Sequence, residues 1–292
     1  MKNLNFAFFG TDNFSVGVLD ELKKNNFLPT LIIATPDKPK GRGLKLTSPP
    51  VKLWAIENKV AFLQPENFNR QLTINNLQLG IVASYGKIIP AKILTSFPKG
   101  MLNVHPSLLP KYRGASPIQA QILNDEKNIG VSIMLMDEKI DHGPLLTQRE
   151  FSAQGGPASG WQIPNNIELS ERLSAEGGKL LAETMPKWLA GKIKPIPQDE
   201  IMATFCPKIN KEDGLIDLNG NPRQNFLKIQ AFTGWPGTYF FVVRNGEKKR
   251  IKITKASFTD DKLKIESVIP EGKKEILYYQ FINADKIDAT IL

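Results

Sequence analysis

The chain has 292 residues, 41% hydrophobic and 23% charged, which describes a soluble globular protein with room for one large domain or two ordinary ones. One cysteine and two histidines exclude an internal disulfide and a cysteine-rich metal site, no H-E-x-x-H spacing occurs, and a metal-free protein is expected. The formal net charge is +9, and residues 1–100 hold 13 Lys and Arg against 6 Asp and Glu; charge alone does not choose among nucleic acid, anionic membrane and an acidic small substrate.

The opening residues lack the apolar core and cleavage site of a signal peptide. No run approaches the roughly 18 apolar residues of a spanning helix, so no membrane partner and a cytoplasmic location are expected. Leu4 to Phe9 reads as a buried strand, turning at Gly10-Thr11-Asp12-Asn13 into a helix over 14–24. Leu28 to Ala34 is a second strand, and the strand–helix–strand alternation predicts a parallel α/β sheet.

Residues 35–52 carry Lys38, Lys40, Arg42, Lys45 and Lys52 with one acid, Asp37, among glycines and prolines. No helix or long strand fits there. The residues alone allow a solvated loop or a mobile arm whose cations meet phosphates. Pro49 to Asn58 reads as a helix with proline in its first turn. Val60 to Leu63 is a short strand, and Phe68 to Asn75 a weak helix or turn. Leu79 to Ala83 is a strong strand running into Ser84-Tyr85-Gly86-Lys87, where a strand's carboxyl end opens into a ligand crevice.

Met101 to Leu146 holds both histidines. Met101-Leu102-Asn103-Val104-His105 alternates as a strand leaving the core, so Asn103 and His105 project on one side. Asn offers a fixed amide donor, and His moves a proton near neutral pH. Asp141 opens an Asp-His-Gly-Pro turn after the strand Val131 to Met136, where a carboxylate can orient His105 or handle a proton. Such residues also serve as loop caps and turn formers. The leucines of Ser107-Leu108-Leu109-Pro110 point instead to a pocket wall.

Leu145 to Phe151 is a strand, residues 152–166 are rich in Gly, Pro and Ser, and Ile167 to Leu189 has helical periodicity. Gly191 to Asp199 is a linker by composition. Phe226 to Phe232 is a helix, followed by short strands at Thr238 to Val243, Arg250 to Ala256 and Leu263 to Val268, the pattern of a small β-barrel.

NVHPSLLPKYRGASPIQ followed by IDHGPLL closely resembles the signature of the 10-formyltetrahydrofolate-dependent formyltransferases. The resemblance implies that Asn103, His105 and Asp141 are catalytic. It implies that Ser107, Leu108, Leu109 and Pro110 line the folate site, and that Tyr85 and Gly86 help hold the pterin through the backbone. The Thr-Pro-Asp and Gly-Arg-Gly pattern resembles the loop with which methionyl-tRNA formyltransferases contact the tRNA acceptor stem. Arg42 matches its central arginine, with Lys38, Lys40 and Lys45 around it.

The implied fold is a Rossmann-like formyltransferase domain over 1–190, a linker over 191–209, and an OB-like tRNA-binding domain over 210–292. Fewer residues than the family has lie between Ala256 and Leu263, so a reduced or open barrel is expected. Residues 152–166 also depart from the family. The implied activity is formyl transfer from 10-formyltetrahydrofolate to the α-amine of charged initiator tRNA by a monomer. Two alternatives stand beside it: an amino-sugar N-formyltransferase using the same donor, and a folate- or RNA-binding protein without turnover.

Overall fold

The computed structural model describes residues 4–40, 43–68, 76–152, 164–244 and 246–283. The chain forms two compact units. Met1–Gly114, Ile129–Phe151 and Ser170–Phe205 make the first, and Ala115–Asn128, Ser152–Leu169 and Cys206–Leu292 the second.

In the first unit, β1 (Phe6–Gly10) leads into α1 (Asn13–Lys24) and β2 (Leu31–Ala34). The Asp12 side chain accepts from the Ser15 amide and so caps α1, satisfying one of the donors a helix start leaves open. The basic stretch folds as a short antiparallel hairpin, β3 (Lys38–Lys40) and β4 (Lys45–Thr47). Helix α2 (Pro50–Glu57), β5 (Phe62–Leu63) and β6 (Leu79–Ala83) follow. The turn or helix expected at 68–75 lies almost wholly outside the described residues. A helical turn, α3 (Ala91–Leu94), precedes β7 (Met101–His105) and β8 (Arg113–Gly114). After α4 (Pro117–Leu123), β9 (Asn128–Leu135) and β10 (Leu145–Ser152) complete the strands, and α5 (Asn166–Leu189) follows.

The main sheet has the order β10-β9-β7-β6-β1-β2-β5. Its β5, β2, β1, β6 and β7 pairings are parallel, and β9 runs antiparallel to β7. The sheet is therefore mixed rather than wholly parallel. A parallel return needs a crossover packed on the sheet. The helix of this connection, α4, belongs to the second unit and packs there against α6, introduced below.

Strands β1 and β6 are buried throughout, which explains their unbroken apolar runs. The chain passes from one side of β1 to the other between β5 and β6, which places a crevice at the carboxyl ends of β1 and β6. Side chains staple those ends together. Ser15 Oγ donates to the Ala83 carbonyl (2.6 Å), Thr11 Oγ1 to the Tyr85 carbonyl (2.6 Å), and Ser84 Oγ to Asp12 Oδ2 (2.6 Å).

The second unit continues through β11 (Phe205–Cys206), α6 (Pro222–Ala231), β12 (Thr238–Arg244), β13 (Glu247–Thr259), β14 (Lys262–Pro270), β15 (Ile276–Leu277) and α7 (Tyr278–Asn283). Strands β12 to β15 form an antiparallel sheet in sequence order. Its core holds Ile216, Ile229, Phe240, Val242, Ile251, Ile253, Val268 and Phe281. Among the described residues β12 and β15 are the outer strands of this sheet, and a single parallel bridge joins Leu215 to Tyr239 on β12. Strand β13 is longer than its periodicity suggested because a bulge at Ile253 to Ala256 shifts its register and breaks the alternation. Within this unit Arg223 grips Asp125 through both its Nε (3.1 Å) and Nη2 (2.7 Å).

Phe9 is fully buried under the crevice and meets Tyr85 and Phe97 edge-on at 5.5 and 6.2 Å. Phe9→Ala is expected to cost about 3–5 kcal/mol in urea denaturation, as truncation of a packed aromatic does. A loss below about 1 kcal/mol would mean the cavity collapses and the aromatic cluster is not rigid.

Candidate active site

Strand β7 carries Asn103 and His105 out of the core at the sheet's carboxyl end, and His105 is 4% exposed. The Asp-His-Gly-Pro turn brings Asp141 to meet them. Asn103 Nδ2 donates to Asp141 Oδ1 at 3.4 Å, and His105 Nε2 stands 3.4 Å from Asp141 Oδ2. The second contact is inside ion-pair range but lacks hydrogen-bond geometry, and among the described residues no group makes a hydrogen bond with that nitrogen. Asp141 Oδ2 also accepts from the Gly114 amide at 2.8 Å.

The tautomer of His105 follows from its other nitrogen. Ser107 Oγ lies 3.0 Å from His105 Nδ1 and 2.7 Å from the Lys111 carbonyl oxygen. A carbonyl only accepts, so the single hydroxyl proton goes to Lys111. Ser107 Oγ then accepts at its other contact, and Nδ1 must carry the ring proton. The neutral imidazole accordingly presents a bare Nε2 toward Asp141, the arrangement of a proton acceptor.

Burial pushes the Asp141 carboxyl up, but the His105 ring in its protonated form, the Gly114 amide and the Arg113 charge outweigh it and hold the group below its ordinary value. Asp141 is therefore ionised beside the histidine. The turn that carries it is tightly made. Asp141 has φ +48°, in the left-handed region, and a Cβ at Gly143 would lie 1.9 Å from the Leu135 carbonyl oxygen, so only glycine fits there. The second histidine takes no part in this contact: His142 Nδ1 pairs with Asp137 Oδ2 at 2.5 Å.

The Ser107 to Pro110 loop is fixed by groups the sequence did not single out. Ser132, fully buried on β9, donates to the Ser107 carbonyl (2.6 Å) and accepts from the Leu109 amide (3.0 Å). Gln148 Nε2 donates to the Leu109 carbonyl (2.7 Å) and to Ser132 Oγ (2.9 Å). Leu109 is buried, Leu108 is half-buried against Gly130, and Pro110 follows a cis peptide. The one signal for Ser132 and Gln148 was a polar residue inside a buried strand or its neighbour, which is too common to single out.

Tyr85 sits at the carboxyl end of β6. Its ring lies in the core with Phe9, burial pushes its hydroxyl up to about 12, and its carbonyl accepts from Thr11. Gly86 has φ +73° and open space where a Cβ would sit. Among the described residues no group of three or more His, Cys, Asp or Glu could hold a metal ion. No helix among them is long and apolar enough to cross a membrane.

Lys38 and Lys45 are exposed on the basic hairpin, whose register sets Lys40 opposite Lys45. Arg42 lies outside the described residues. Asp37 anchors the hairpin's base, accepting from Gln64 Nε2 (2.7 Å), Lys52 Nζ (2.8 Å) and Ser48 Oγ (3.1 Å). The hydrogen bonds from Gln64 and Lys52 lead in holding its carboxyl below the ordinary range. Lys52 is thus occupied, while Lys38 and Lys45 point outward. In the second unit the Arg250 guanidinium covers the Tyr239 ring at 3.7 Å, Lys248 lies over Phe241 at 4.2 Å, and Lys273 and Lys274 are exposed.

The acid side of stability tests the Asp141 contacts. Its folded-state pKa is depressed, so its ionised form contributes fully above the unfolded value and loses that contribution as pH falls through the folded one. The stability difference between the protein and Asp141→Asn should be constant above about pH 5 and shrink below it. Urea midpoints measured across that range check this; a difference that grows on acidification contradicts it.

Known proteins resemble the chain along most of its length. Residues 2–157 match the formyl transferase family and residues 208–277 the formyl transferase C-terminal domain. The methionyl-tRNA formyltransferase of Thermodesulfovibrio yellowstonii is 36% identical over 307 residues, spanning 96% of each chain. Among solved structures, the methionyl-tRNA formyltransferase from Clostridium thermocellum superposes with a TM-score of 0.60 at 18% identity, covering 91% of this chain and 98% of that one. The Helicobacter canadensis N-formyltransferase, in complex with folinic acid and dTDP-3-aminofucose, gives 0.62 at 20% identity, covering 89% of each chain. With its mixed α/β sheet, its antiparallel second sheet and the Asn103, His105 and Asp141 meeting point, the chain belongs to the formyl transferase family, as a formyl-transferring enzyme.

Proposed function

We propose that the protein transfers a formyl group from 10-formyltetrahydrofolate to the α-amine of methionyl initiator tRNA. The observation that carries the chemistry is the bare His105 Nε2 beside an ionised Asp141, with the Asn103 amide on the same carboxylate. A neutral amine attacks the formyl carbon, and negative charge builds on the formyl oxygen. The Asn103 amide is a donor that can turn to that oxygen, and a donor aimed there is worth roughly 3–4 kcal/mol. His105 Nε2 takes the proton the amine loses, and Asp141 stabilises the imidazolium so formed. The same proton then goes to the folate nitrogen as its bond to the formyl carbon breaks, leaving formylmethionyl-tRNA and tetrahydrofolate. No covalent enzyme intermediate is needed.

Ser107 to Pro110, with the backbone at Tyr85 and Gly86, is assigned to the folate. The tRNA assignment rests on the curated relatives, named methionyl-tRNA formyltransferases, that align along nearly the whole chain. It rests also on the basic hairpin, where Lys38 and Lys45 are exposed to solvent. Lys38, Lys40, Arg42 and Lys45 are assigned to RNA phosphates, with residues 210–292 as the second tRNA-binding part. The Helicobacter canadensis N-formyltransferase, solved with dTDP-3-aminofucose, keeps an amino-sugar acceptor as the second reading.

A turnover assay with charged initiator tRNA and 10-formyltetrahydrofolate, run beside a dTDP-amino sugar, tests the proposal; formylation of the sugar alone would overturn it. In that assay His105→Ala is expected to lower kcat by about 10²–10⁴ with little change in folate affinity. Near wild-type turnover would remove His105 from the mechanism. Arg42→Ala should raise KM for the tRNA and flatten its salt dependence by roughly one unit or a little less, leaving Tm unchanged. An unaltered KM and salt slope would reduce the hairpin to a solvated connection.

A further inference from the structure

The segment 191–209 has the composition of a plain linker, yet one of its side chains reaches back to the catalytic carboxylate. Gln198 is 9% exposed. Its Nε2 donates to the carbonyls of Asp141 (2.8 Å) and Gly143 (2.7 Å), the two ends of the turn that presents Asp141. Its Oε1 accepts from Arg113 Nε (3.1 Å) and Nη2 (2.9 Å). Arg113, 1% exposed, also donates to Glu200, through Nη1 (3.0 Å) and Nη2 (2.7 Å). The next residue, Gly114, gives its amide to Asp141 Oδ2.

The amide of Gln198 is therefore saturated on both sides, and each end does different work. The oxygen end matches the guanidinium, and the nitrogen end clamps a turn whose first residue sits at φ +48°. A non-glycine residue in that region persists only where its surroundings hold it. We propose that Gln198 is a positioning residue for formyl transfer: it holds the Asp141 turn in the conformation that keeps the carboxylate on His105 and Asn103. The inference rests on the proposed function for its kinetic consequence and on geometry alone for its structural one.

Gln198→Glu separates the two ends of the side chain. A carboxylate keeps and strengthens the acceptor for Arg113 but sets an acceptor against two carbonyls, so the linker stays anchored while the turn loses both donors. Two readouts are taken on the full-length protein. In the assay with charged initiator tRNA, kcat is expected to fall about tenfold or more, with KM for tRNA and folate and the Tm nearly unchanged, because a displaced carboxylate costs transition-state rather than ground-state interaction. By hydrogen exchange without substrates, the Gly114 amide, which is bonded to Asp141, is expected to exchange at least about tenfold faster.

Unchanged kcat with unchanged Gly114 protection overturns the proposal, as does a loss confined to KM or Tm, which would make Gln198 a structural peg for Arg113. If the unaltered protein formylates no tRNA, the functional reading fails instead, and Gly114 exchange still decides whether Gln198 holds the turn. Should Gln198→Glu fold poorly, Gln198→Met, similar in length with no donor, is judged by the same two readouts.

Discussion

The site depends on one short relay: His105 Nδ1–H to Ser107 Oγ, and Ser107 O–H to the Lys111 carbonyl. Because a hydroxyl has a single proton, the direction of the second bond sets the direction of the first, and that fixes which nitrogen of the ring is bare. Everything nearby preserves this arrangement. Ser132 and Gln148 hold the loop that carries Ser107, and Gln198, Arg113 and Gly114 hold the turn that carries Asp141. The end of β7 and the Asp141 turn thus present one proton acceptor and one charge, 3.4 Å apart.

The sheet supplies the frame. Strands β1 and β6 are wholly apolar and buried, so they cannot slip without exposing phenylalanines, and their carboxyl ends are tied by Ser15, Thr11 and Ser84. That rigidity reaches β7 through its register with β6, Val82 opposite Asn103. Catalytic geometry held on a strand end varies less than geometry held on a free loop. The basic hairpin contrasts with this frame. It is anchored at its base by Asp37, and Lys38 and Lys45 are exposed, which suits groups that meet a large, charged partner.

Much of this was legible in the sequence, for identifiable reasons. Long apolar runs such as 79–83 and alternation such as 101–105 announce themselves, and the spacing of Asn103 and His105 put both on one side of a strand. What was not legible depends on tertiary contact. The antiparallel pairing of β9 with β7 is a tertiary choice that no local pattern states. Strand β15 and helix α7 are too short for periodicity to show, and the β13 bulge hides its own length. Gln198 sat in a stretch rich in Gly, Pro and Lys that reads as linker, and its role appears only once the turn it clamps is brought 57 positions along the chain to meet it.

The most direct test of the account is the protonation pattern of the His105 ring. The protein has only two histidines, so a His142→Gln variant leaves one imidazole to observe by ¹⁵N-resolved NMR. In the neutral ring the account predicts a protonated Nδ1 and a bare Nε2, with Ser107→Ala losing that preference. A neutral His105 protonated at Nε2 would contradict it, since the nitrogen facing Asp141 would then have no lone pair with which to take the proton of an attacking amine.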